Sequence, residues 1–262
     1  MRSASKTAVR KLGRPASPPA NTEIEIKLRI PDLPLLLRQF ARLKAKLMHA
    51  RVHEMNTLYD TPDANLARHG RMLRLRVEHP AGPANGTKRA RKTVDGKRQT
   101  CAWLTFKGPT KGAPADEQGR YKVREEQELR ISDHEGMPKV LEALGLQPCF
   151  RYEKFRSTFR LPGLRGVKLM LDETPIGTFV ELEGGRQEID RAAGLLGFAR
   201  SDYITQTYGA LFLEEHGLSG QASRNEPIPF SGVPDMVFPR NIFPRNKGSA
   251  EPGRKIRSLA AP

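Results

Sequence analysis

The chain has 262 residues, 37% of them hydrophobic, which is enough to bury the core of one β-rich domain, and it carries a formal net charge of +16. No apolar run approaches the roughly 18 residues of a membrane span, and the basic N-terminus lacks the apolar stretch of a secretory signal, so a cytoplasmic protein without a membrane partner is expected. Cys101 and Cys149 fit no metal or redox spacing and are expected as buried reduced thiols, and the six histidines show no paired-ligand spacing.

Residues 1–21 hold five basic and no acidic residues, and residues 220–262 hold seven basic and three acidic, so more than half of the excess charge lies in the ends. Both ends are rich in Pro, Gly and Ser and poor in periodic apolar pattern, and both are expected to be disordered tails around a domain at 22–219. Such tails can touch nucleic acid or acidic membranes only weakly, and their removal is expected to leave activity nearly unchanged.

The first element, "TEIEIKLRI" (22–30), alternates strictly, with Glu23, Glu25, Lys27 and Arg29 on one side and Ile24, Ile26, Leu28 and Ile30 on the other, which predicts a strand. "PDLPLLLRQFARLKAKLM" follows with Leu36, Leu37, Phe40, Leu43 and Leu47 at helical spacing, Asp32 and Pro34 suiting the start. Strands are predicted at 53–61, 71–79, 101–107 and 121–131, with polar loops at 80–99 and 108–119. Ser132 can cap a helix over about 133–144. Strands at 150–161, 166–173 and 177–184 come next, then helices near 187–196 and 203–216. About eight strands joined mostly by short turns argue an antiparallel α+β fold, and a helix after the first strand and another after the middle ones suggest two related halves.

The polar strand faces are unusual. Glu23, Glu25, Lys27, Arg74, Arg76, Lys107, Arg124, Glu126, Glu128, Lys154, Arg156, Lys168, Asp172, Glu181 and Glu183 give nearly every strand two or three charges on one side. An open sheet with one solvated face would carry them as cross-strand pairs worth about 0.2–1 kcal/mol each. A sheet closed into a barrel would instead line its bore with them, at a cost that needs a compensating ligand. A polyanion with divalent cations compensates both signs, since Arg and Lys bind phosphate oxygens and carboxylates bind hard cations.

"EIEIK" (23–27) resembles the ExExK signature of the CYTH superfamily, which joins class IV adenylyl cyclases and thiamine triphosphatases. It is followed in order by "NTLYDTPDANLARHGRMLRLR" (56–76), "WLTFKGP" (103–109), "REEQEL" (124–129), "LGLQPCFRYEKFRSTF" (144–159), "KLMLDETPIGTFVELEG" (168–184) and "TQTYGALF" (205–212). The resemblance spans about 23–213 and implies an eight-stranded antiparallel closed barrel, the triphosphate tunnel, with flanking helices. It implies Mg²⁺ or Mn²⁺ held by Glu23, Glu25, Asp172, Glu181 and Glu183. It implies a triphosphate (ATP, thiamine triphosphate or tripolyphosphate) held by Lys27, Arg74, Arg76, Lys107, Lys154 and Arg156, with Arg124 a further ligand and Glu126 and Glu128 acidic positions of variable role.

A lysine at reduced pKa, such as Lys107 with Tyr59 close by, is the expected general base if water attacks; Tyr59 also reads as an aromatic on a half-buried strand. "NTLYDTPDANL", "FKGP" and "LGLQPCFRYEKFRSTF" resemble the class IV cyclase branch, which implies conversion of ATP to cyclic AMP and pyrophosphate, with hydrolysis of a triphosphate as the alternative. A non-catalytic polyphosphate or nucleotide binder is the alternative of another class, and the acidic set argues against it. Nucleic acid as main partner is disfavoured by the lack of interleaved stacking aromatics. The state is expected to be a monomer or homodimer.

Overall fold

The computed structural model describes residues 22–82, 100–110, 119–218 and 234–238. The N-terminal tail, most of the loops at 80–99 and 108–119 and most of the C-terminal tail lie outside the described residues.

Eight antiparallel strands close into a barrel in the order β1-β5-β4-β3-β2-β6-β7-β8. They are β1 (Thr22–Arg29), β2 (Lys46–Asp60), β3 (Met72–Pro80), β4 (Cys101–Lys107), β5 (Lys122–Ile131), β6 (Gln147–Arg160), β7 (Val167–Thr174) and β8 (Gly177–Gly184). Helices α1 (Leu33–Arg42) and α2 (Asn65–Arg68) flank β2, α3 (Met137–Ala143) follows β5, and α4 (Arg186–Leu195) and α5 (Tyr208–Glu215) follow β8. Each half of the barrel thus opens with a strand and a helix and continues with a three-stranded meander, as the two-half pattern suggested. The halves meet at β1–β5, β4–β5, β2–β6 and β1–β8. Among the described residues no helix is long and apolar enough to cross a membrane.

The period-two alternation sorts the strands cleanly. On the outer face Ile24, Ile26, Leu28, Leu169, Leu171, Val180 and Leu182 pack against Leu36 and Phe40 of α1 and Ile189, Ala192 and Ala193 of α4. A smaller outer cluster sets Leu141 of α3 on Tyr59 and Leu75. A third cluster belongs to one end of the bore, where Leu58, Phe150, Tyr152 and Phe179 meet Tyr208, Leu211 and Phe212 of α5 and so form an apolar plug. Thr207 caps α5 by accepting from the Ala210 amide.

Several boundaries differ from expectation. The first helix ends at Arg42, because Lys44 adopts a left-handed φ of 53°, and Lys46–Met48 open β2 instead of extending the helix. Pairing with β6 overrides the helix-forming composition of that stretch. The helix expected from 133 begins at Met137, and Asp133, not Ser132, accepts the Gly136 amide before it. Cys101 and Cys149 are free but only half-buried. Within the stretch expected as a disordered tail, Asp235 and Met236 pair with β6.

Candidate functional site

The face opposite the apolar clusters forms the bore, part of a cavity of about 2190 Å³. That exceeds an ordinary small-molecule pocket of about 300–1,000 Å³ and leaves room for a nucleotide as well as a chain of phosphates. Its wall is built of cation–carboxylate pairs. On the β6–β7 wall Asp172, with no exposed surface, accepts from Arg156 Nε and Nη2 at 2.7 and 2.6 Å, from Lys154 Nζ at 3.0 Å and from the Tyr208 hydroxyl at 2.8 Å. Arg156 also binds Glu181, and Lys27 Nζ lies 3.3 Å from Glu25 and 3.5 Å from Glu181. The ammonium groups of Lys27 and Lys154 sit 5.2 and 5.0 Å from the Tyr208 ring centroid, within cation–π range.

At the β1–β5 seam Glu23 binds Lys107, which is 3.3 Å from Glu126, and Glu25 accepts from Lys122 Nζ at 2.8 Å. On the β3–β4–β5 wall Glu128 accepts from Arg76 Nη2 at 2.6 Å and from the Thr105 hydroxyl at 2.9 Å. Arg74 donates to the Tyr152 hydroxyl at 3.2 Å, and Arg124 donates to the carbonyls of Gly108 and Gly70, both at 2.8 Å. The bore therefore holds roughly equal numbers of cations and carboxylates.

The expected set of Lys27, Arg74, Arg76, Lys107, Arg124, Lys154 and Arg156 is brought together around this bore, with Glu23, Glu25, Asp172, Glu181, Glu126 and Glu128. Glu183 sits at the rim against the exposed Lys168 ammonium at 2.9 Å. Tyr59 borders the cavity but takes the outward parity of β2, where it packs with Leu75 and Leu141.

Lys107 itself fails the expectation of a reduced pKa. Burial would lower it, but the charges of Glu25 and Glu23 raise it above the usual lysine range. The depressed lysine is Lys122, which burial and the nearby Lys27, Lys107 and Arg124 bring down to about 8 despite Glu25. Burial and the adjacent Glu25 charge push the Glu23 carboxyl up, against the pull of Lys107. Burial would also raise Glu54 and Glu181, but their cations prevail. Lys154, Arg156, Arg76 and Arg74 bring Glu54 down to about 2, and Lys154, Arg156 and Lys27 hold Glu181 far below the carboxylate range.

Sequence reasoning missed Glu54, Asn56, Lys122, Tyr152 and Tyr208. Glu54, 1% exposed, lies 3.6 Å from both Arg76 and Lys154. Buried side-chain atoms without a hydrogen-bond partner gather on the same wall, namely Glu54 Oε2, both amide atoms of Asn56 and the Nε atoms of Arg74 and Arg76. Such orphans mark a wall that expects polar company from water or ligand. Strand parity could have found Glu54, Lys122 and Tyr152, which share the faces of Asn56, Arg124 and Lys154.

A closed eight-stranded antiparallel barrel with a charge-lined bore is what the CYTH resemblance implies, and a model of the CYTH domain matches residues 21–196. The chain belongs to the CYTH family. No curated protein matches the sequence. Among solved structures, the CYTH fold seen here resembles a Vibrio parahaemolyticus protein provisionally described as an adenylate cyclase, at 20% identity and TM-score 0.57, over 73% of this chain and 98% of that one. PH1819 of Pyrococcus horikoshii matches at 22% identity and TM-score 0.54, over 74% and 99%. A conserved protein of Pyrococcus furiosus matches at 21% and 0.50, over 71% and 97%. Tyr208, which anchors Asp172, lies beyond the span of the CYTH match.

Among the described residues no group of three His, Cys, Asp or Glu side chains converges to hold a metal unaided. Of the five carboxylates expected at the metal site, Asp172 and Glu181 share Arg156, Glu25 and Glu181 share Lys27, Glu23 pairs with Lys107 and Glu183 with Lys168. The donor chemistry still fits a hard cation at the β1 end. Burial and the neighbouring Glu25 charge push the Glu23 carboxyl up, and Mg²⁺ is commonly held by one or two carboxylates plus substrate phosphates.

Proposed function

We propose that this CYTH protein binds a triphosphate together with a divalent cation in the barrel and cleaves it, converting ATP to cyclic AMP and pyrophosphate. The observation that carries this is the near balance of buried charge in the bore. A bare triphosphate would leave the carboxylates facing an added polyanion, and a bare cation would face the lysines and arginines. A metal–triphosphate complex adds charge of both signs and lets the existing pairs exchange partners.

Glu23 and Glu25 are the residues that would hold Mg²⁺ or Mn²⁺, with Glu181 adjacent across Lys27. When bound there, such a cation would supply positive charge to the phosphate oxygens and the leaving group. Lys27, Arg74, Arg76, Lys107, Lys154 and Arg156 fix the phosphate chain, the arginines through their paired donors. The ribose 3′-hydroxyl gives up its proton to solvent as its oxygen bonds to the α-phosphorus and the bond to pyrophosphate breaks, and the lysines and arginines of the bore take up the charge of the departing pyrophosphate. Trp103, half-buried on β4 and lining the cavity beside Arg76, offers a ring face on which a base can stack, which supports a nucleotide.

A second reading is hydrolysis, with water attacking the γ-phosphorus to give a diphosphate compound and phosphate. The charge pairs that run from Glu23–Lys107 to Arg76–Glu78 favour it, because a triphosphate can be held along them without a base.

Incubation with Mg²⁺ or Mn²⁺ and ATP, thiamine triphosphate or tripolyphosphate, with separation of the products, tests both. Cyclic AMP and pyrophosphate support the first reading, and orthophosphate supports the second. Tight triphosphate binding with no product would show a binder and refute catalysis.

A further inference from the structure

Pro234–Phe238 lies outside the CYTH match and within a stretch whose composition reads as tail, yet its backbone is paired. β6 is flanked by β2 along its length, but β7 pairs only with Phe155–Phe159. The Met236 amide donates to the Arg151 carbonyl at 2.9 Å, and the Glu153 amide donates to the Met236 carbonyl at 3.0 Å, a parallel bridge beside Tyr152. Asp235 Oδ1 accepts from the Arg151 amide at 2.9 Å. The Phe238 ring packs on Phe155 in a tilted arrangement, 5.2 Å between centroids and 41° between planes.

The Met236 side chain is 1% exposed and enters the apolar plug with Tyr152 and Tyr208. Both tyrosines reach from that plug into the charged wall. Tyr152 accepts from Arg74, and Tyr208 donates to Asp172. A methionine filling the plug therefore restricts two rings whose hydroxyls fix a cation and a carboxylate of the bore.

We propose that residues 234–238 are a strap that completes the tunnel wall, and that Met236 is a positioning residue acting through Tyr152 and Tyr208 on Arg74 and Asp172. The affinity arm of its test rests on the triphosphate reading above, and the exchange arm does not. This strap replaces the expectation that everything beyond 220 is dispensable.

In the full-length chain, well below its melting temperature, Met236→Ala is expected to weaken tripolyphosphate binding in Mg²⁺ about fivefold to tenfold, since small misplacements of binding groups are costly. Met236→Leu, which keeps the volume, should stay within about twofold. Tyr152→Phe should weaken binding similarly, and the double variant Met236→Ala/Tyr152→Phe should lose less than the two losses combined, as coupled sites do. Wild-type affinity in Met236→Ala, or full additivity with Tyr152→Phe, overturns the positioning role. Hydrogen exchange provides the independent readout. The Glu153 and Met236 amides should be protected in the wild type and exchange faster in Met236→Ala. Rapid exchange of both in the wild type overturns the strap. If the wild type binds no tripolyphosphate while both amides are protected, the strap stands and the triphosphate reading fails.

Discussion

On the β6–β7 wall Asp172 spreads its charge over Lys154, the Nε and Nη2 donors of Arg156 and the Tyr208 hydroxyl. At the β1–β5 seam Glu23 and Glu25 stand close enough to repel one another, and burial, with the cations around it, brings Lys122 down to about 8. The first region has satisfied its charges within the chain. The second carries both a raised carboxyl and a depressed lysine side by side. Satisfied charge holds a scaffold in place; charge left in conflict is where a ligand changes most. The two regions should therefore answer mutation in opposite ways.

Glu25→Ala should separate them most widely. Turnover of the triphosphate substrate is expected to fall at least about 10²-fold, with circular dichroism unchanged, because Glu25 is one of the two carboxylates proposed to hold the metal. Asp172→Ala should act mainly on the fold. It strands Lys154 and Arg156 in a buried wall, and chemical denaturation should show a loss of about 3–5 kcal/mol. An equal stability loss in both variants would remove the distinction.

Acid should reach the neighbouring β2 wall through Glu54, whose partners Arg76 and Lys154 stand 3.6 Å away. Its carboxyl is lowered from 4.5 to about 2, so it contributes stability that is fully present above pH 4.5 and disappears as pH falls toward 2. Melting curves of wild type and Glu54→Gln should therefore differ near neutrality and converge at low pH; a gap that widens in acid would reverse the assignment. Glu23→Gln is the smallest effect and the sharpest in sign. Removing a carboxylate that burial and Glu25 disfavour should raise the melting temperature slightly while lowering turnover.

Much of this was legible in the sequence because period-two alternation needs no tertiary information. Glu25 and Lys27 share a face in "EIEIK", and the barrel keeps them on it. The same parity would have turned Tyr59 outward, since it sits one residue from Leu58 and three from Asn56, and would have flagged Lys122, two residues before Arg124. Other features had no local signal. Tyr208 reaches Asp172 from a helix 36 residues away in sequence. Lys46–Met48 have helix-forming composition, and only the pairing with β6 made them strand. Met236 lies in a short aperiodic stretch whose place depends on an edge of β6 that β7 leaves open.

The central claim is that the bore takes metal and triphosphate as one ligand. Calorimetric titration of the full-length protein with tripolyphosphate, in Mg²⁺ and again in excess chelator, tests it most directly. Affinity should be at least about tenfold higher with Mg²⁺, a gap of about 1.4 kcal/mol, and Glu25→Ala should close that gap. Equal affinity in chelator and in Mg²⁺ would contradict the account.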